Sequence, residues 1–588
     1  MSQSPKWDLG RLYAPDSLEL KQDMELIRRR RTEFAANREL LVNDKLTLER
    51  FAALVRELES LRILDSQISG FAELSFSDNT SDEKAQAFLG VTRQASAELE
   101  NELLFFELWW QKLDPALADE YRASLPEFDY FLTQIRALLE HSLAEGEERV
   151  INLKNANGRQ AIITLYDSIT NRYVFDSSFI PGSDGQPIGR EELMVQVRSH
   201  QPRLREKAYQ ELYRVFSDDG PALGQIYQAL VRDWRQENVR LRHYGSPISV
   251  RHKFNDLPQE TVDSLLRVCQ GKGRQVFGRY FQKKAQALGM SKLRRYDLYA
   301  PLSEEKRQWT FAEAMDEVTK CFGDFDPQLA QLAQNIVSQN HLDAQIRQGK
   351  ASGAFCASLA PKMTPWVLMT FKGQTQDVFT LAHELGHAAH SQLAKDQNLF
   401  QFHACLPLAE TASTFGELLL AKRLLANADP ADREALTFHL LDDAYATVGR
   451  QAFFALFEIT AHEMIEEGAS VSQICQSYWD NLVTQFGDSL ALNEEFRWEW
   501  VTIPHIFHTP FYVYAYSFGQ LLVYSLWRVY EREGPDLAQR LMKLLARGGS
   551  APPLTILAEA GLGPLDDDFW LGGFEVIDAL MSGTGLSG

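Results

Sequence analysis

The sequence is poor in cysteine, in positive charge relative to negative charge, and in long apolar runs, and each shortage excludes a class of protein. Its five cysteines are odd in number and lie far apart in 588 residues, so they form neither a disulfide framework nor a CxxC metal clip. No window approaches the ~20 apolar residues that a membrane-spanning helix needs. The opening segment MSQSPKWDLGRLYAPDSLELKQ lacks the apolar core of a secretory signal. We therefore expect a reduced, cytoplasmic and soluble protein.

The charge balance is acidic, with 60 Lys and Arg against 80 Asp and Glu and a formal net charge of −20. Nucleic acid and anionic membranes are poor candidate partners, because a phosphate-binding surface needs clustered Lys and Arg. The apolar fraction of 45 % and the charged fraction of 24 % are ordinary for globular proteins, which argues against large-scale disorder. A chain of this length can bury a large core or enclose an internal cavity.

Apolar residues recur at helical spacing along most of the chain, notably over residues 16–145 and 190–345. Residues 151–190 break this pattern with β-branched and aromatic residues between turn signals, which predicts a few strands there. The segments GAFCASLA and PWVLMTFKG predict two further strands. The segment TQDVFTLAHELGHAAHSQLA then predicts a helix, which Thr375 or Asp377 can cap. The fold class predicted is mainly α.

That helix carries a metal-binding pattern. His383 and His387 are four residues apart, so both imidazoles project from one face and can reach one Zn²⁺ at about 2.0–2.1 Å. Glu384 lies beside them and can take a proton from a water molecule without binding the metal, which is the His-Glu-x-x-His signature of zinc proteases. About 0.02 matches are expected by chance in this composition. A surface helix with two unpaired histidines is the alternative, but Gly386 would cost it about 1 kcal/mol relative to Ala.

A catalytic zinc site needs a third protein ligand and an open position. The segment LPLAETASTFGELLLAKRLL predicts a following helix, with Pro407 in its first turn and Glu410 placed 23 residues after His387. Glu410 is the expected third ligand. Glu417 is the competitor two turns further along the same face, better suited to a neighbouring salt bridge. His390 shares the metal face of the first helix and is expected to pack beside the site.

A third cluster lies in the segment HIFHTPFYVYAYSFGQ and consists of His505, His508, Tyr512, Tyr514 and Tyr516. Pro510 is expected to start a helix that presents Tyr512 and Tyr516 on one face. Hydrolysis of a peptide bond needs donors for the oxyanion of the tetrahedral intermediate, and Tyr and His side chains can supply them. Core packing is the alternative for such an aromatic stripe. We expect one histidine and one tyrosine to act, with Tyr512 first because it follows His508 by four residues.

The segments HELGHAAH, ETASTFGE and H-I-F-x-x-P-F-Y resemble the oligoendopeptidase F family, relatives of thimet oligopeptidase and neurolysin. The segments WDLGRLY, GAFCAS, PWVLMTFKG and LLARGGSAPPLTILAEAGL extend the resemblance over nearly the full length. The resemblance implies a mainly α-helical metallopeptidase of two lobes that enclose a deep substrate channel, with a small β-sheet beside the active-site helix. It further implies an N-terminal helical domain with a short β segment over 1–195 and a catalytic domain over 196–580. The tail 581–588 is expected to be flexible.

By this resemblance the protein is a zinc-dependent endopeptidase that hydrolyses internal bonds of short unstructured oligopeptides with a metal-activated water. One Zn²⁺ per chain would be bound by His383, His387 and Glu410, with Glu384 as the base. His505 or His508 and a tyrosine, Tyr512 first, would stabilise the oxyanion. The strand PWVLMTFKG is expected to pair with the extended substrate.

Two other functions stay open at this point. One is a zinc carboxypeptidase or peptidyl-dipeptidase on a similar helical channel fold, which would need a cationic group for the substrate's terminal carboxylate. Arg251, Lys362 and Lys372 are candidates for that group. The other is an inactive zinc-bound module that binds peptides, although an intact Glu384 argues against it. The sequence gives no indication of the oligomeric state or of the preferred cleavage site.

Overall fold

Helices carry most of the chain in the computed structural model, which describes residues 4–41, 46–302 and 307–583. Short strands form one three-stranded and one two-stranded sheet. The prediction of a mainly α-helical fold with a small β-sheet is therefore confirmed. No helix in the described ranges is both long and apolar enough to cross a membrane.

The helices of the first half run, in chain order, over α1 Leu18–Ala35, α2 Arg38–Leu41, α3 Leu48–Asp78, α4 Glu83–Lys112, α5 Pro115–Ala123, α6 Asp129–Ala137, α7 Glu145–Asn157, α8 Arg159–Thr170, α9 Arg190–Val197, α10 Pro202–Asp218, α11 Gly220–Trp234, α12 Ser249–Asn255, α13 Gln259–Val268 and α14 Arg274–Ala287. Those of the second half run over α15 Phe311–Phe325, α16 Pro327–Ser338, α17 Thr375–Leu393, α18 Leu399–Phe402, α19 Leu406–Ala409, α20 Thr411–Asn427, α21 Pro430–Ala444, α22 Arg450–Glu466, α23 Val471–Phe486, α24 Pro504–His508, α25 Tyr514–Glu533, α26 Pro535–Ala546, α27 Pro553–Glu559 and α28 Asp567–Ser582. The strands are β1 Leu293–Arg294, β2 Leu342–Asp343, β3 Phe355–Ala357, β4 Trp366–Leu368 and β5 Leu490–Ala491.

The chain forms two compact units, each assembled from three separate segments. Unit 1 comprises Met1–Arg149, Arg307–Leu420 and Glu533–Leu562, and unit 2 comprises Val150–Lys306, Ala421–Arg532 and Gly563–Gly588. The domain division predicted at residue 195 stays a prediction. Helix α28 ends at Ser582, and residues 584–588 of the predicted tail lie outside the described residues.

The first segment of unit 1 packs its long helices around an aromatic core. Phe51 on α3 stacks on Trp110 of α4 at 5.1 Å and on Tyr121 of α5 at 4.5 Å between ring centroids. These helices begin where the sequence supplies a side-chain oxygen for an unpaired backbone N–H. Thr47 accepts from the N–H of Arg50 at the start of α3. Periodic apolar residues and local caps thus fix the same elements that the sequence predicts.

A three-stranded sheet in unit 1 precedes α17, the helix that carries the His-Glu-x-x-His motif. Its strand order is β2-β4-β3, with β2 parallel and β3 antiparallel to β4. Both predicted segments, GAFCASLA and PWVLMTFKG, contribute a strand, and β3 and β4 lie against α17. The expectation that PWVLMTFKG pairs with substrate is wrong for β4, because strands on both sides already use its backbone groups. In the described chain β3 is an edge strand, paired only with β4.

The strands predicted within residues 151–190 are also mostly absent from the structure. Helices α7 and α8 occupy 145–157 and 159–170, and the segment retains a single bridge between Phe175 and Ile188. The residues buried on α8 are Ile163, Tyr166 and Thr170, which recur at helical spacing. Their β-branched and aromatic side chains therefore pack from a helix, because tertiary burial outweighs a weak strand propensity.

Candidate metal centre

Helix α17 is held at its first turn by Asp377. The Asp377 Oδ2 atom accepts hydrogen bonds from the backbone N–H of Lys372 at 2.6 Å and of Gln374 at 3.0 Å. The sequence predicts capping by Thr375 or Asp377, and the structure assigns this contact to Asp377, with Gln374 as the residue that precedes the helix. The chain reaches Gln374 through Gly373, whose positive φ of 89° is accessible mainly to glycine. This turn fixes the start of the helix relative to β4.

The structure brings the three predicted ligands together in unit 1. Their facing atoms form a nearly equilateral triangle. His383 Nε2 lies 3.2 Å from His387 Nε2, and Glu410 Oε2 lies 3.3 Å from the first nitrogen and 3.2 Å from the second. Three ligands on one tetrahedral zinc ion, each at about 2.0–2.1 Å, are about 3.3–3.4 Å apart. The donor atoms and their spacing therefore fit one zinc ion.

The charges around His383 also fit a bound cation. Burial lowers the pKa of His383, but the carboxylates of Glu410 and Glu417 outweigh burial and raise it well above its usual value. Burial raises the pKa of Glu410, but hydrogen bonds from His383 and His387 outweigh it and hold it well below its usual value. The site thus stabilises positive charge where the three ligand atoms meet, and a divalent cation is one way to supply it.

Glu410 owes its position to a close crossing of two helices. It lies between α19 and α20, where the Ser413 hydroxyl donates to its Oε2 at 2.9 Å. A Cβ on Gly386 of α17 would lie 2.6 Å from Ala412 O and 2.6 Å from Ser413 Cα. A Cβ on Gly416 would lie 3.2 Å from Ala382 O. Two glycines, one on each helix, therefore let Glu410 approach the histidines.

Glu417 contacts the same imidazole from the other side. Its Oε1 accepts from His383 Nδ1 at 2.9 Å, so Nε2 of that ring stays free to face the triangle. A carboxylate in this position fixes the tautomer and the ring orientation of a metal-binding histidine. Of the two carboxylates that the sequence offers as third ligand, only Glu410 faces both histidines.

Glu384 lines a cavity of about 380 Å³ beside the triangle. Its side chain is only 5 % exposed, and its Oε2 has no hydrogen-bond partner among the described residues. Burial raises the pKa of this carboxyl, although His383 and His387 act in the opposite direction. A buried carboxylate with an unused oxygen is suited to accept a proton from a molecule in the cavity.

The cavity wall includes residues to which the sequence analysis gives no role at the site. Phe355 and Cys356 of β3 line one part, and Phe402 and His403 line another. His390 also lines the cavity but is not one of the three facing ligands, and burial lowers its pKa to about 4. The expectation that His390 packs beside the site agrees with this position. The predicted strand before the helix that carries His383 could have indicated Phe355 and Cys356, whereas no local signal marks Phe402 and His403 as wall residues.

The histidine and tyrosine cluster lies in unit 2, and its local structure differs from the expectation. The helix α24 begins at Pro504 and ends at His508, whereas Pro510 and Phe511 form a turn in which Phe511 has a φ of 57°. Helix α25 begins only at Tyr514. Tyr512 therefore lies between two helices, and the prediction that it shares a helical face with Tyr516 is wrong.

The members of the cluster divide into two groups. His505 stacks its ring over Tyr512, with centroids 6.1 Å apart, and its Nε2 lies 3.4 Å from the Tyr516 hydroxyl. Burial lowers the pKa of His505, and His508 and Arg450 lower it further. His505, Tyr512 and Tyr516 thus form one group with their polar atoms close together.

The other two members have partners elsewhere in unit 2. His508 Nε2 lies 2.8 Å from Asp167 Oδ1 on α8. Tyr514 is buried, and its hydroxyl accepts from Asn255 Nδ2 at 2.8 Å. Of the alternatives that the sequence leaves open, His505 is better placed than His508 to donate to a ligand, and Tyr512 and Tyr516 are better placed than Tyr514.

Comparisons with known proteins give a consistent assignment. The model of Peptidase family M3 matches residues 195–576 of the chain. Among curated proteins, the chain is 24 % identical to an oligoendopeptidase F homolog of Borreliella burgdorferi over 577 residues, covering 96 % of this chain and 94 % of the relative. It is 26 % identical to oligopeptidase PepF of Bacillus subtilis over 489 residues, covering 82 % and 71 % respectively.

The fold is also similar to a solved structure. Oligoendopeptidase F from Enterococcus faecium superposes with a TM-score of 0.71 at 20 % identity, covering 96 % of this chain and 98 % of that one. The resemblance stated from the sequence motifs is therefore confirmed along the length of the chain.

Proposed function

We propose, because the chain belongs to peptidase family M3, that His383, His387 and Glu410 hold one zinc ion and that Glu384 is the catalytic base. The protein is a metallo-oligopeptidase, and its substrates are peptides. The observation that carries the residue assignment is the triangle of ligand atoms with sides of 3.2–3.3 Å, beside the unpartnered Glu384 Oε2.

When bound, zinc would lower the pKa of a water molecule to near 7 and would polarise the carbonyl group of the substrate's scissile bond. Glu384 takes the proton of the attacking water and passes it to the leaving amine. Its buried position supports this role, because burial raises the pKa of the carboxyl toward the range in which it can both accept and release a proton. Glu417 keeps the His383 ring oriented through Nδ1.

Substrate binding is assigned to the free edge of β3. Phe355 and Cys356 belong to this strand and also line the cavity beside Glu384. An extended peptide can add to an open strand edge through main-chain hydrogen bonds, which gives affinity with little sequence preference. This replaces the expected pairing with β4, whose neighbours occupy both of its edges.

His505 and Tyr512 are proposed as donors to the oxyanion, with Tyr516 beside them. Their mutual contacts support this choice over His508 and Tyr514, which are engaged with Asp167 and Asn255. A donor aimed at the oxyanion stabilises a charge that exists only after water attack, so it lowers the barrier without strengthening substrate binding.

The cytoplasm is proposed as the location of the enzyme. The five cysteines, all of which lie in the described ranges, form no disulfide, whereas disulfides are common in proteins of oxidising compartments. Three of them, Cys269, Cys321 and Cys475, are buried as thiols.

The test is hydrolysis of a peptide of about ten residues that is blocked at both ends, with zinc content measured on the same preparation. Wild type should bind one zinc ion per chain and cut an internal bond. Glu384→Gln should bind zinc and lose hydrolysis, whereas Glu434→Gln, an exposed carboxylate on α21, should behave as wild type. Hydrolysis by Glu384→Gln within tenfold of wild type would contradict the mechanism.

The same assay separates the alternatives. A carboxypeptidase or peptidyl-dipeptidase would cut the peptide only after its C-terminus is freed. A module that only binds peptides would show zinc and no turnover with either peptide.

A further inference from the structure

Unit 2 contains a buried charged centre remote in sequence from the metal ligands. Arg295, which follows β1, Arg450 at the start of α22, and Glu499 in the 3-10 turn 494–502 meet there. Glu499 Oε1 accepts from Arg295 Nη2 at 2.7 Å and from Arg450 Nη2 at 3.1 Å. The side chains of Arg295 and Glu499 are 2 % and 3 % exposed. Two guanidinium groups therefore share one carboxylate oxygen, and the pair formed by Arg295 and Glu499 is almost completely removed from water.

The guanidinium groups are left with unused donors. Arg295 Nε, Arg295 Nη1 and Arg450 Nε are buried and have no hydrogen-bond partner in the part of the chain that the structure describes. Such orphaned buried donors are rare in folded proteins, and each costs free energy unless a water or an ion satisfies it.

Arg205, another arginine of unit 2, shows how a guanidinium is satisfied at the same depth. It is 1 % exposed, and its Nε and Nη2 donate to Asp297 Oδ1 at 3.1 and 2.7 Å. Its Nη1 donates to the backbone oxygens of Ser199 and His200 at 2.7 and 3.1 Å. The unused donors of Arg295 are therefore a local feature of its centre and not a general property of buried arginines in this unit.

The formal charges of the centre do not balance. Among the described residues, Glu499 is the only carboxylate within salt-bridge distance of either Arg295 or Arg450. Arginine stays protonated in proteins, so the three side chains carry a net charge of +1. An unbalanced charge removed from water is costly, because nothing nearby replaces its hydration. A water molecule could satisfy the N–H groups but would leave this charge in place.

Three phenols add further donors to the same centre. The hydroxyls of Tyr299, Tyr445 and Tyr478 are buried without a hydrogen-bond partner in the described ranges. The rings of Tyr299 and Tyr445 lie 6.4 Å apart between centroids, and Tyr478 packs at 6.5 Å on Phe454, whose ring centroid lies 4.9 Å from the Arg450 guanidinium. Burial raises the pKa of each hydroxyl, and the charges of Arg295 and Arg450 act to lower it. The centre thus combines guanidinium N–H and phenol O–H donors around an excess positive charge.

We propose that this centre is a binding site for a small monovalent inorganic anion, with chloride as the physiological occupant. One negative charge balances the centre, and an anion can accept hydrogen bonds from several N–H and O–H groups at once. Access is available through Arg450, whose side chain is 29 % exposed. Glu499 Oε2 also lacks a partner, and a water molecule beside the anion can donate to it.

The first test compares the thermal midpoint Tm of the intact chain in sodium chloride and in sodium gluconate at equal ionic strength. Chloride binds the folded state, so it should raise the wild-type Tm by about 2–4 °C relative to gluconate, a much larger organic anion. Arg450→Gln should abolish the difference. Tyr478→Phe should reduce it, and serves if Arg450→Gln does not fold.

The matched control is Tyr227→Phe. Tyr227 is equally buried in unit 2 and its hydroxyl is equally unpartnered, but the charge that acts on it is that of Glu458. This variant should keep the full chloride response. Equal Tm values for wild type in the two salts, or a chloride response that survives Arg450→Gln unchanged, would overturn the proposal.

The second test locates the anion. Crystals of the intact chain grown in sodium bromide should show one anomalous peak within hydrogen-bond distance of Arg295 Nε or Nη1 and Arg450 Nε. Water alone at that position, with bromide only on the surface, would mean that the centre is a hydrated ion-pair network and not an anion site.

Discussion

At the scale of single residues, the two carboxylates Glu410 and Glu417 contact opposite nitrogens of His383 and should have separable effects. Glu410→Ala removes one corner of the triangle and should leave the purified enzyme without zinc. Glu417→Ala should retain zinc with an affinity lower by about 10–100-fold, because it loses only the group that orients the ring. Zinc content after dialysis at graded free zinc concentrations measures both. A metal-free Glu417→Ala beside a zinc-bound Glu410→Ala would reverse the assignment.

Tyr512 and Tyr514 should also have separable effects, the first on the catalytic rate and the second on the stability of the fold. Tyr512→Phe keeps the ring and removes a proposed oxyanion donor, so kcat should fall by about 10²–10³ while KM changes little. Tyr514→Phe should leave kcat near wild type but lower the free energy of unfolding by about 1–2 kcal/mol, because Asn255 loses its hydrogen-bond partner.

Steady-state kinetics and urea unfolding of both variants, at matched zinc content, decide this prediction. The opposite pattern, with kcat lost in Tyr514→Phe alone, would show that the hydroxyl of the buried tyrosine is the one that reaches the substrate. Tyr516→Phe completes the series, because its hydroxyl lies 3.4 Å from His505.

At the scale of secondary-structure elements, the crossing of α17 and α20 depends on the absence of a side chain at Gly386. Gly386→Ala would push a methyl group to within 2.6 Å of backbone atoms of Ala412 and Ser413. Separating the helices should cost about 1–3 kcal/mol of stability and weaken zinc binding, since Glu410 immediately precedes α20. Thermal unfolding and zinc titration of the variant measure the two effects.

Gly90 in α4 provides the matched control. A Cβ added there would meet no atom within 4 Å, and the position is exposed. Gly90→Ala should stabilise the protein by roughly 0.5–1 kcal/mol, because alanine favours the helix, and should leave zinc affinity unchanged. If both substitutions had the same small effect, close packing at Gly386 would not explain the position of Glu410.

The sequence predicts helix α17 and the two strands before it because each depends on local signals, and it also places Glu410 close after this helix. The spacing of His383 and His387 places them on one helical face wherever that helix lies. The order of strands in the sheet is different, because β2 is only two residues long and pairs with β4 through tertiary contacts. No local pattern could show that β4 would be central and β3 at the edge.

The errors in residues 151–190 and around Tyr512 have related causes. Ile163, Tyr166 and Thr170 have side chains typical of strands, yet they are buried from one face of α8. At Pro510 the sequence predicts a helix start, but Phe511 adopts a positive φ and delays the helix to Tyr514. The N–H of Phe511 donates to the buried Glu458 at 3.0 Å, a contact made across 53 residues. Burial against residues that are distant in sequence determines the backbone conformation at these positions, and local propensity contains no information about such contacts.

At the scale of the whole molecule, Glu458 and His462 on α22 should make the free energy of unfolding depend on pH in opposite directions. The Glu458 contribution is lost as pH rises, and the His462 contribution is lost as pH falls. Burial raises the pKa of Glu458 from 4.5 to about 8, although Phe511 and Arg251 act to lower it. Burial lowers the pKa of His462 from 6.5 to about 3, and Arg235 lowers it further. Between pH 4.5 and 6.5, the folded state therefore keeps Glu458 protonated and His462 neutral, whereas the unfolded chain would carry a charge on both side chains.

The signs follow from which state binds more protons. The folded protein holds the Glu458 proton that the unfolded chain loses, so this contribution is complete below pH 4.5 and is lost as pH rises to 8. The unfolded chain binds the His462 proton first, so stability is lost as pH falls from 6.5 toward 3. Between 4.5 and 6.5 the two slopes oppose each other, and maximal stability is expected there.

Urea unfolding of wild type from pH 6.5 to 8 should show the Glu458 slope alone, at up to about 1.4 kcal/mol per pH unit. Glu458→Gln should flatten it, because the amide accepts from Phe511 and does not titrate. His462→Gln should keep the slope above pH 6.5 and flatten the loss below pH 4.5. A wild-type slope that is unchanged in Glu458→Gln would place the titrating group elsewhere.

The discontinuity of unit 1 has a consequence for the moment at which the enzyme becomes active during its synthesis. Helix α17 packs against α26, which belongs to the last segment of unit 1. At a translation rate of about 5–20 residues per second, the ribosome needs roughly 10–30 s after His383 to complete α26. Throughout that interval the nascent chain contains His383 and His387 without α26, the helix that packs against α17. Folding of unit 1 around α17 is therefore completed only late in synthesis, and zinc binding at the proposed site is expected to be late as well.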